Sequence, residues 1–150
     1  VAHSLGAAAA TIALAGGTAA ERAVYLAAAE NLDPYVDRFR RELGLSAALV
    51  GNVRRRVDRR FGLFRESLRG RTLARALALP LLAFHDADDC EIPAAHSETI
   101  VARWVGARLV RTIGLGHRGL LRHEGVVRAA VEHLLSDATA APEASHPGDG

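Results

Sequence analysis

The sequence predicts an α/β fold in which a parallel sheet is covered by helices on both faces. Three observations carry this. Two short apolar runs, VYL within 22–29 and PLLAFH at 80–85, and the alternating run ARLVRTI at 107–113 have the length and pattern of strands. Segments of helical period lie between them, and strands alternating with helices build parallel sheets buried on both sides. Small or acidic loops follow three of the strands, at the edge where open α/β sheets place their sites.

Residues 1–6 read as a strand end turning sharply into an Ala-rich helix over 5–16, which Gly16-Gly17 terminates. Residues 22–29 form a buried strand centred on Val24, Tyr25 and Leu26. From Asn31 to Leu79 the pattern is helical. Asp33-Pro34 opens a first helix, Asp as a cap and Pro in the first turn, and Gly44 stops it. Ser46 caps a second helix, with Leu49, Val53, Val57 and Phe61 on one apolar stripe and Arg over most of the remaining circumference. After strand 80–85 comes the acidic loop 86–91, then a helix over 93–105 that turns Ile100, Val101, Trp104 and Val105 to the core. Strand 107–113, the glycine-bearing loop 114–119 and a helix over 124–135 complete the fold, with Val127, Ala130, Val131 and Leu134 on its inner face. Residues 136–150, rich in Ala, Pro, Ser, Gly and acid, read as a disordered tail.

At 150 residues and 49% hydrophobic content the chain suffices for one modest domain. It contains no Met, so Val1 is read as following processing or as part of a longer chain. The longest apolar stretch, 5–20, is too short and too weakly apolar to predict a membrane span, and no basic lead-in marks a signal peptide. A cytoplasmic protein without membrane contact is expected. One cysteine, Cys90, excludes an internal disulfide and a thiolate zinc cluster. All 19 basic residues are Arg. Nine of them face only Asp58 and Glu66 between positions 52 and 75, a net +7, which leaves −5 on the rest of a chain of total charge +2.

Three loops carry chemistry. In Ala2-His3-Ser4-Leu5-Gly6, a serine at a strand-to-helix bend needs small neighbours two before and two after it. Helix polarity then aims amide donors at Ser4, and the Leu5 N–H is placed to hold an oxyanion. Alone, the same five residues equally describe a serine that simply caps an Ala-rich helix. His3 flanks the bend as a candidate pocket residue. In the segment 85–93, His-Asp-Ala-Asp-Asp-Cys-Glu-Ile-Pro, a carboxylate past the strand end can hold an imidazole Nδ1–H. Asp89, four residues before Pro93, is the choice and Asp88 the alternative. A calcium loop would need a central glycine and a distal Glu that this segment lacks. In Gly114-Leu115-Gly116-His117-Arg118-Gly119, flanking glycines free His117 to reach another loop as a general base. His96, His123, His133 and His146 are read as ordinary surface residues.

The order Ser, Asp, His, each after a successive strand, joins these three signals. On AHSLG, PLLAFHDADDCEIP and GLGHRGLL, residues 1–135 resemble the C-terminal half of the α/β-hydrolase family, of the serine esterase and lipase type. The resemblance implies Ser4 as nucleophile, Asp89 as orienting acid, His117 as base, and residues 33–79 as a helical lid shaping the acyl or alcohol pocket, with Leu49, Phe61 and Phe64 available to it. It implies ester hydrolysis through an acyl-enzyme on a small-molecule ester or acyl substrate. Neither cofactor nor metal is implied. Two departures stand out: Ala2 occupies the usual glycine position, and the early strands with the second oxyanion donor are missing. The chain is therefore expected to be a fragment that is inactive or poorly folded by itself. Three rival readings remain: a serine acyltransferase or perhydrolase on the same triad, a non-catalytic module binding acidic partners through Arg54, Arg55, Arg56, Arg59 and Arg60, and a non-catalytic relic of a broken gene. Nucleic acid is not the expected partner, because an apolar-striped helix with an Arg-rich outside is usually a solvated lid.

Overall fold

The computed structural model describes residues 1–136. Four parallel strands, β1 (Ala2–His3), β2 (Ala23–Leu26), β3 (Leu81–Asp86) and β4 (Ala107–Thr112), lie in the spatial order β1-β2-β3-β4. Helix α1 (Leu5–Ala15) links β1 to β2, and α5 (Ala95–Val101) links β3 to β4. After β4 come the single turn α6 (Gly116–Gly119) and helix α7 (Glu124–Leu135). Between β2 and β3 a helical insertion holds α2 (Asp33–Glu42), α3 (Ala47–Phe61) and α4 (Gly70–Leu73).

The two-residue period of the central strands separates two cores. Ala23 and Tyr25 of β2 join Leu81 and Ala83 of β3 on one face, under Ala7, Ile100 and Trp104. Val24, Leu26, Leu82 and Phe84 point the other way, to Leu120, Val126 and Ala130. On the first face the Tyr25 and Trp104 rings meet edge to face, centroids 5.8 Å apart, and the buried Thr11 hydroxyl lies 2.9 Å from Tyr25 Oη. Trp104 Nε1 donates to the Leu79 carbonyl at 2.8 Å. Gly70 sits where α4 crosses the end of β2: its N–H donates to Glu30 O at 2.8 Å, and a Cβ there would stand 3.1 Å from Ile100 Cγ1.

Several elements differ from the sequence-based expectation, each for an identifiable reason. Strand β2 is half the predicted length, because Ala27 turns into positive φ (48°) and leads the buried segment 27–30 toward β1 and β3. Ser46 caps α3 as predicted, accepting from Leu49 N at 3.2 Å, with Gly62 left-handed at its end. Asp33 does not cap α2; Leu32 holds that position, and the Asp33 carboxylate instead pairs with Arg54 and Arg69. The stripe of α3 does not enter the core. Leu49, Val53 and Phe61 are each about half exposed or more, since α3 packs on α2 and not on the sheet. Helix α5 is shorter than 93–105 and leaves Val105 68% exposed. The inner face of α7 is Val126, Ala130 and His133, while Val127, Val131 and Leu134 face outward. His133 is accordingly buried, not a surface residue, and His96 is half-buried.

The tail predicted over 136–150, with His146, lies beyond Ser136 outside the described residues. Among the described residues no helix is long and apolar enough to cross a membrane.

Candidate active site

The C-terminal ends of β1, β3 and β4 bring three loops together. At the first, β1 pairs with β2 (His3 beside Leu26) and the chain bends into α1. Ser4 is the bend, with φ 56° and ψ −123°, a region that L residues seldom occupy and that costs about 1–3 kcal/mol. Its N–H donates to Leu26 O at 2.9 Å, and its carbonyl accepts from Ala7 N (3.1 Å) and Ala29 N (3.3 Å). The bend is thus held by β2 and the helix start together. The steric role expected for Gly6 is not found: Gly6 is exposed, and a Cβ there would meet no described atom within 4 Å. Ala2, by contrast, packs against the Tyr25 core.

The second loop leaves β3 at Asp86. Asp89 is buried. Its Oδ1 accepts from the N–H groups of Glu91 and Ile92 at 2.9 Å each, and its Oδ2 lies 2.7 Å from His117 Nδ1. Asp88 points elsewhere, accepting from Gly114 N at 3.0 Å. Beneath Asp89 lies fully buried His85, with Nδ1 2.6 Å from Ser97 Oγ and Nε2 2.9 Å from Ile92 O. A carbonyl can only accept, so Nε2 carries the proton; that ring braces the loop from below, with Asp89 Oδ2 3.3 Å from the same nitrogen.

The third loop leaves β4 through Gly114 (φ 81°) and Gly116 (φ 60°), conformations that glycine adopts at no steric cost. They aim His117, on the single turn α6, back over the sheet. Its Nε2 stands 2.8 Å from Ser4 Oγ. Ser4, His117 and Asp89 therefore form one continuous hydrogen-bonded line. The ionised Asp89 can only accept, which places a proton on His117 Nδ1 and leaves Nε2 to accept the Ser4 hydroxyl proton. His3 closes one side: its Nε2 lies 3.1 Å from His117 O, and the two rings are 4.7 Å apart.

Two contributors carry no mark that singles them out in the sequence. Asp86, fully buried, ties the acid loop to the histidine loop. It accepts from Thr112 Oγ1 (2.6 Å), Leu115 N (3.0 Å) and Asp88 N (3.0 Å). Burial pushes its carboxyl up, but these donors outweigh that and hold it below the usual carboxylate value. Tyr35, near the start of α2, brings its hydroxyl to 2.7 Å from Ser4 Oγ. Burial, the largest influence, raises that phenol above its ordinary value, and the nearby Leu5 backbone amide works against the rise. The only signal that could have found Tyr35 is position, since α2 begins a few residues past the C-terminal end of β2.

Around this line the insertion is fixed by charge. Arg69 pairs with Glu30, Asp33 and Glu66, and Arg38 pairs with Glu91 two residues beyond Asp89. Of the arginines on the outer face of α3, Arg54 pairs with Asp33 and lies over the Phe64 ring, and Arg60 lies over Phe61. A cavity of about 190 Å³, mostly apolar in surface, opens beside Leu5, lined by Ile12, Leu63, Phe64 and Leu68 and also by Asn31, Asp33, Arg65 and Arg69. Leu49 and Phe61 do not line it; they sit on the outer part of the insertion. Among the described residues no group of three or more His, Cys, Asp or Glu side chains is arranged to hold a metal ion.

No protein-family model matches the sequence, and no curated protein matches it. Solved structures do. The chain aligns with a "putative non-heme bromoperoxidase" from Mycobacterium tuberculosis at TM-score 0.61 and 15% identity, over 88% of this chain and 64% of that one. It aligns with a serine hydrolase involved in carbazole degradation at TM-score 0.58 and 15% identity, covering 88% and 61%. An esterase domain from a Rhodothermus marinus protein gives 0.54 and 15%, covering 88% and 57%. These neighbours are α/β-hydrolases, and the likeness establishes the fold: four parallel strands with flanking helices and a helical insertion, part of the α/β-hydrolase fold. The chain spans roughly three fifths of the length of the structures it matches, between 57% and 64%.

Proposed function

We propose that this chain carries the catalytic triad of a serine hydrolase that cleaves carboxylic esters through an acyl-enzyme. The observation that carries the reading is the line from Ser4 Oγ through His117 to Asp89, with both links under 3 Å and the serine held at positive φ. Ser4 Oγ attacks the acyl carbon while His117 Nε2 takes the hydroxyl proton. Asp89 stabilises the imidazolium across Nδ1 without taking a proton itself. His117 then returns that proton to the leaving alcohol, and water repeats the sequence to release the acid. Leu5, at the N-terminus of α1, presents a backbone N–H toward the developing oxyanion, where the helix dipole adds to it.

The substrate in this reading is a small uncharged ester. The apolar cavity beside Leu5 supports an aliphatic or aromatic acyl group of modest size, and Phe64 with Leu63 form its wall from the insertion, which then acts as a lid. A panel of p-nitrophenyl esters of graded acyl length, run on the full-length parent of this chain, tests the proposal. Expected is turnover that drops about 10⁶-fold in Ser4→Ala and in His117→Ala, the scale found when either member of such a unit is removed. Turnover that survives both substitutions refutes it.

A further inference from the structure

The hydroxyl of Tyr35 stands between two groups that the reaction needs. It is 2.7 Å from Ser4 Oγ, and the Leu5 backbone amide lies near enough to act on the phenol. Proton bookkeeping leaves a single arrangement. Asp89 accepts from His117 Nδ1–H, His117 Nε2 accepts from the Ser4 hydroxyl, and Ser4 Oγ therefore accepts from the Tyr35 hydroxyl. The phenol oxygen thus stands beside the nucleophile, on the side where the Leu5 amide can act on it. Its proton already points at Ser4.

We propose that Tyr35 is a donor to the oxyanion, acting with the Leu5 N–H when Ser4 attacks an acyl carbon. This rests on the serine-hydrolase reading above. As the Ser4 Oγ–C bond forms, the carbonyl π pair moves onto the oxygen and the serine proton passes to His117. The new oxyanion accepts from the Leu5 N–H. Tyr35 withdraws by about one hydrogen-bond length, some 2.7 Å, and redirects its O–H from Ser4 Oγ to the oxyanion one carbon away. It keeps its proton throughout. On collapse the C–O pair reforms, the alcohol leaves with the proton from His117, and Tyr35 returns.

Anchoring favours a short withdrawal over an exit from the site. Tyr35 lies in the first turn of α2, where the neighbouring Asp33 is held by Arg54 and Arg69. One turn later, Arg38 is held by Glu91 of the acid loop. The ring itself is half-buried, and burial raises the phenol above its ordinary value, so it is protonated and able to donate at neutral pH.

The test compares the full chain with Tyr35→Phe, which removes the hydroxyl and keeps the ring. The measurements are kcat and KM on a p-nitrophenyl ester, the rate of Ser4 labelling by a fluorophosphonate, and the thermal midpoint. Expected is a fall in kcat of about 10²–10³-fold, the scale for one oxyanion donor, with KM within about threefold, slower labelling and the same midpoint. A kcat that is unchanged or raised makes the hydroxyl an obstruction and overturns the proposal. Should Tyr35→Phe unfold, the wild-type pH profile decides: kcat must fall above pH ~10 as the phenol ionises and can no longer donate, and a flat profile overturns the proposal. Wild-type protein without Ser4-dependent turnover or labelling overturns the serine-hydrolase reading itself, and this inference with it. Normal wild-type labelling beside an unaffected Tyr35→Phe overturns the inference alone.

Discussion

Replacing Asp86 by Asn tests whether the histidine loop is held in place by one buried carboxylate. Asp86 accepts from two sides: Oδ2 takes Thr112 Oγ1 and Leu115 N, and Oδ1 takes Asp88 N. An amide has one oxygen, so one side must present NH₂ to groups that are themselves donors. If the amide nitrogen faces Asp88, one charge-assisted bond is lost and two are weakened; the opposite orientation loses two. With hydrogen bonds to a charged acceptor worth about 1.5–3 kcal/mol each, and an unpaired buried donor costing about 1–3 kcal/mol, a net loss of about 2–4 kcal/mol is expected. Urea unfolding at pH 7 reads it as a lower midpoint with an unchanged slope. The pH dependence supplies a second reading. The folded carboxyl titrates below the usual 3.8, so between that value and its folded pKa the unfolded chain binds more protons than the native one. The stabilisation is present above about pH 4 and is lost as pH falls through the folded value; Asp86→Asn should lack this component. An unchanged urea midpoint together with an unchanged acid limb would refute the reasoning.

Two further outcomes follow from the packing. Ile100→Ala, beneath Gly70 and within the Tyr25–Trp104 core, should cost about 2–5 kcal/mol in chemical denaturation while leaving the Ser4–His117–Asp89 line intact. His96 and His133 are both held below 6.5, first of all by burial. The unfolded chain therefore takes up protons that the native one refuses, and stability should decline as pH falls from about 7 through 6.5. Substituting Gln at both positions should flatten that decline in thermal melts across this range.

The elements legible in the sequence were those whose local pattern agrees with their tertiary setting. The alternate sides of β2 and β3 both face apolar layers, so their continuous apolar runs identify them directly. Ser46 and Gly62 bound α3 by chemistry internal to that helix. The facing of amphipathic segments was less legible. On α3 the apolar stripe is real, yet it packs partly on α2 and is left half open, which no periodicity specifies. On α7 the buried face includes His133, so a pattern scored on aliphatic residues rotates the helix by about one position. Ser4, Asp89 and His117 were identifiable because each lies in a loop just past a strand end, and the structure brings those three side chains into one line. Tyr35 and Asp86 were not. Their positions depend on how the insertion folds over α1 and on how the β3 and β4 loops close against each other, both long-range matters.

The bend at Ser4 sets the demands of folding against those of reactivity at a single residue. Glycine would adopt that conformation without strain, so a Ser4→Gly chain should be more robust than the wild type and, on the serine-hydrolase proposal, wholly inert. A screen that rewards solubility or heat resistance alone would drift toward that dead form. On that proposal, the need for an oxygen at this corner is what keeps the costlier residue there.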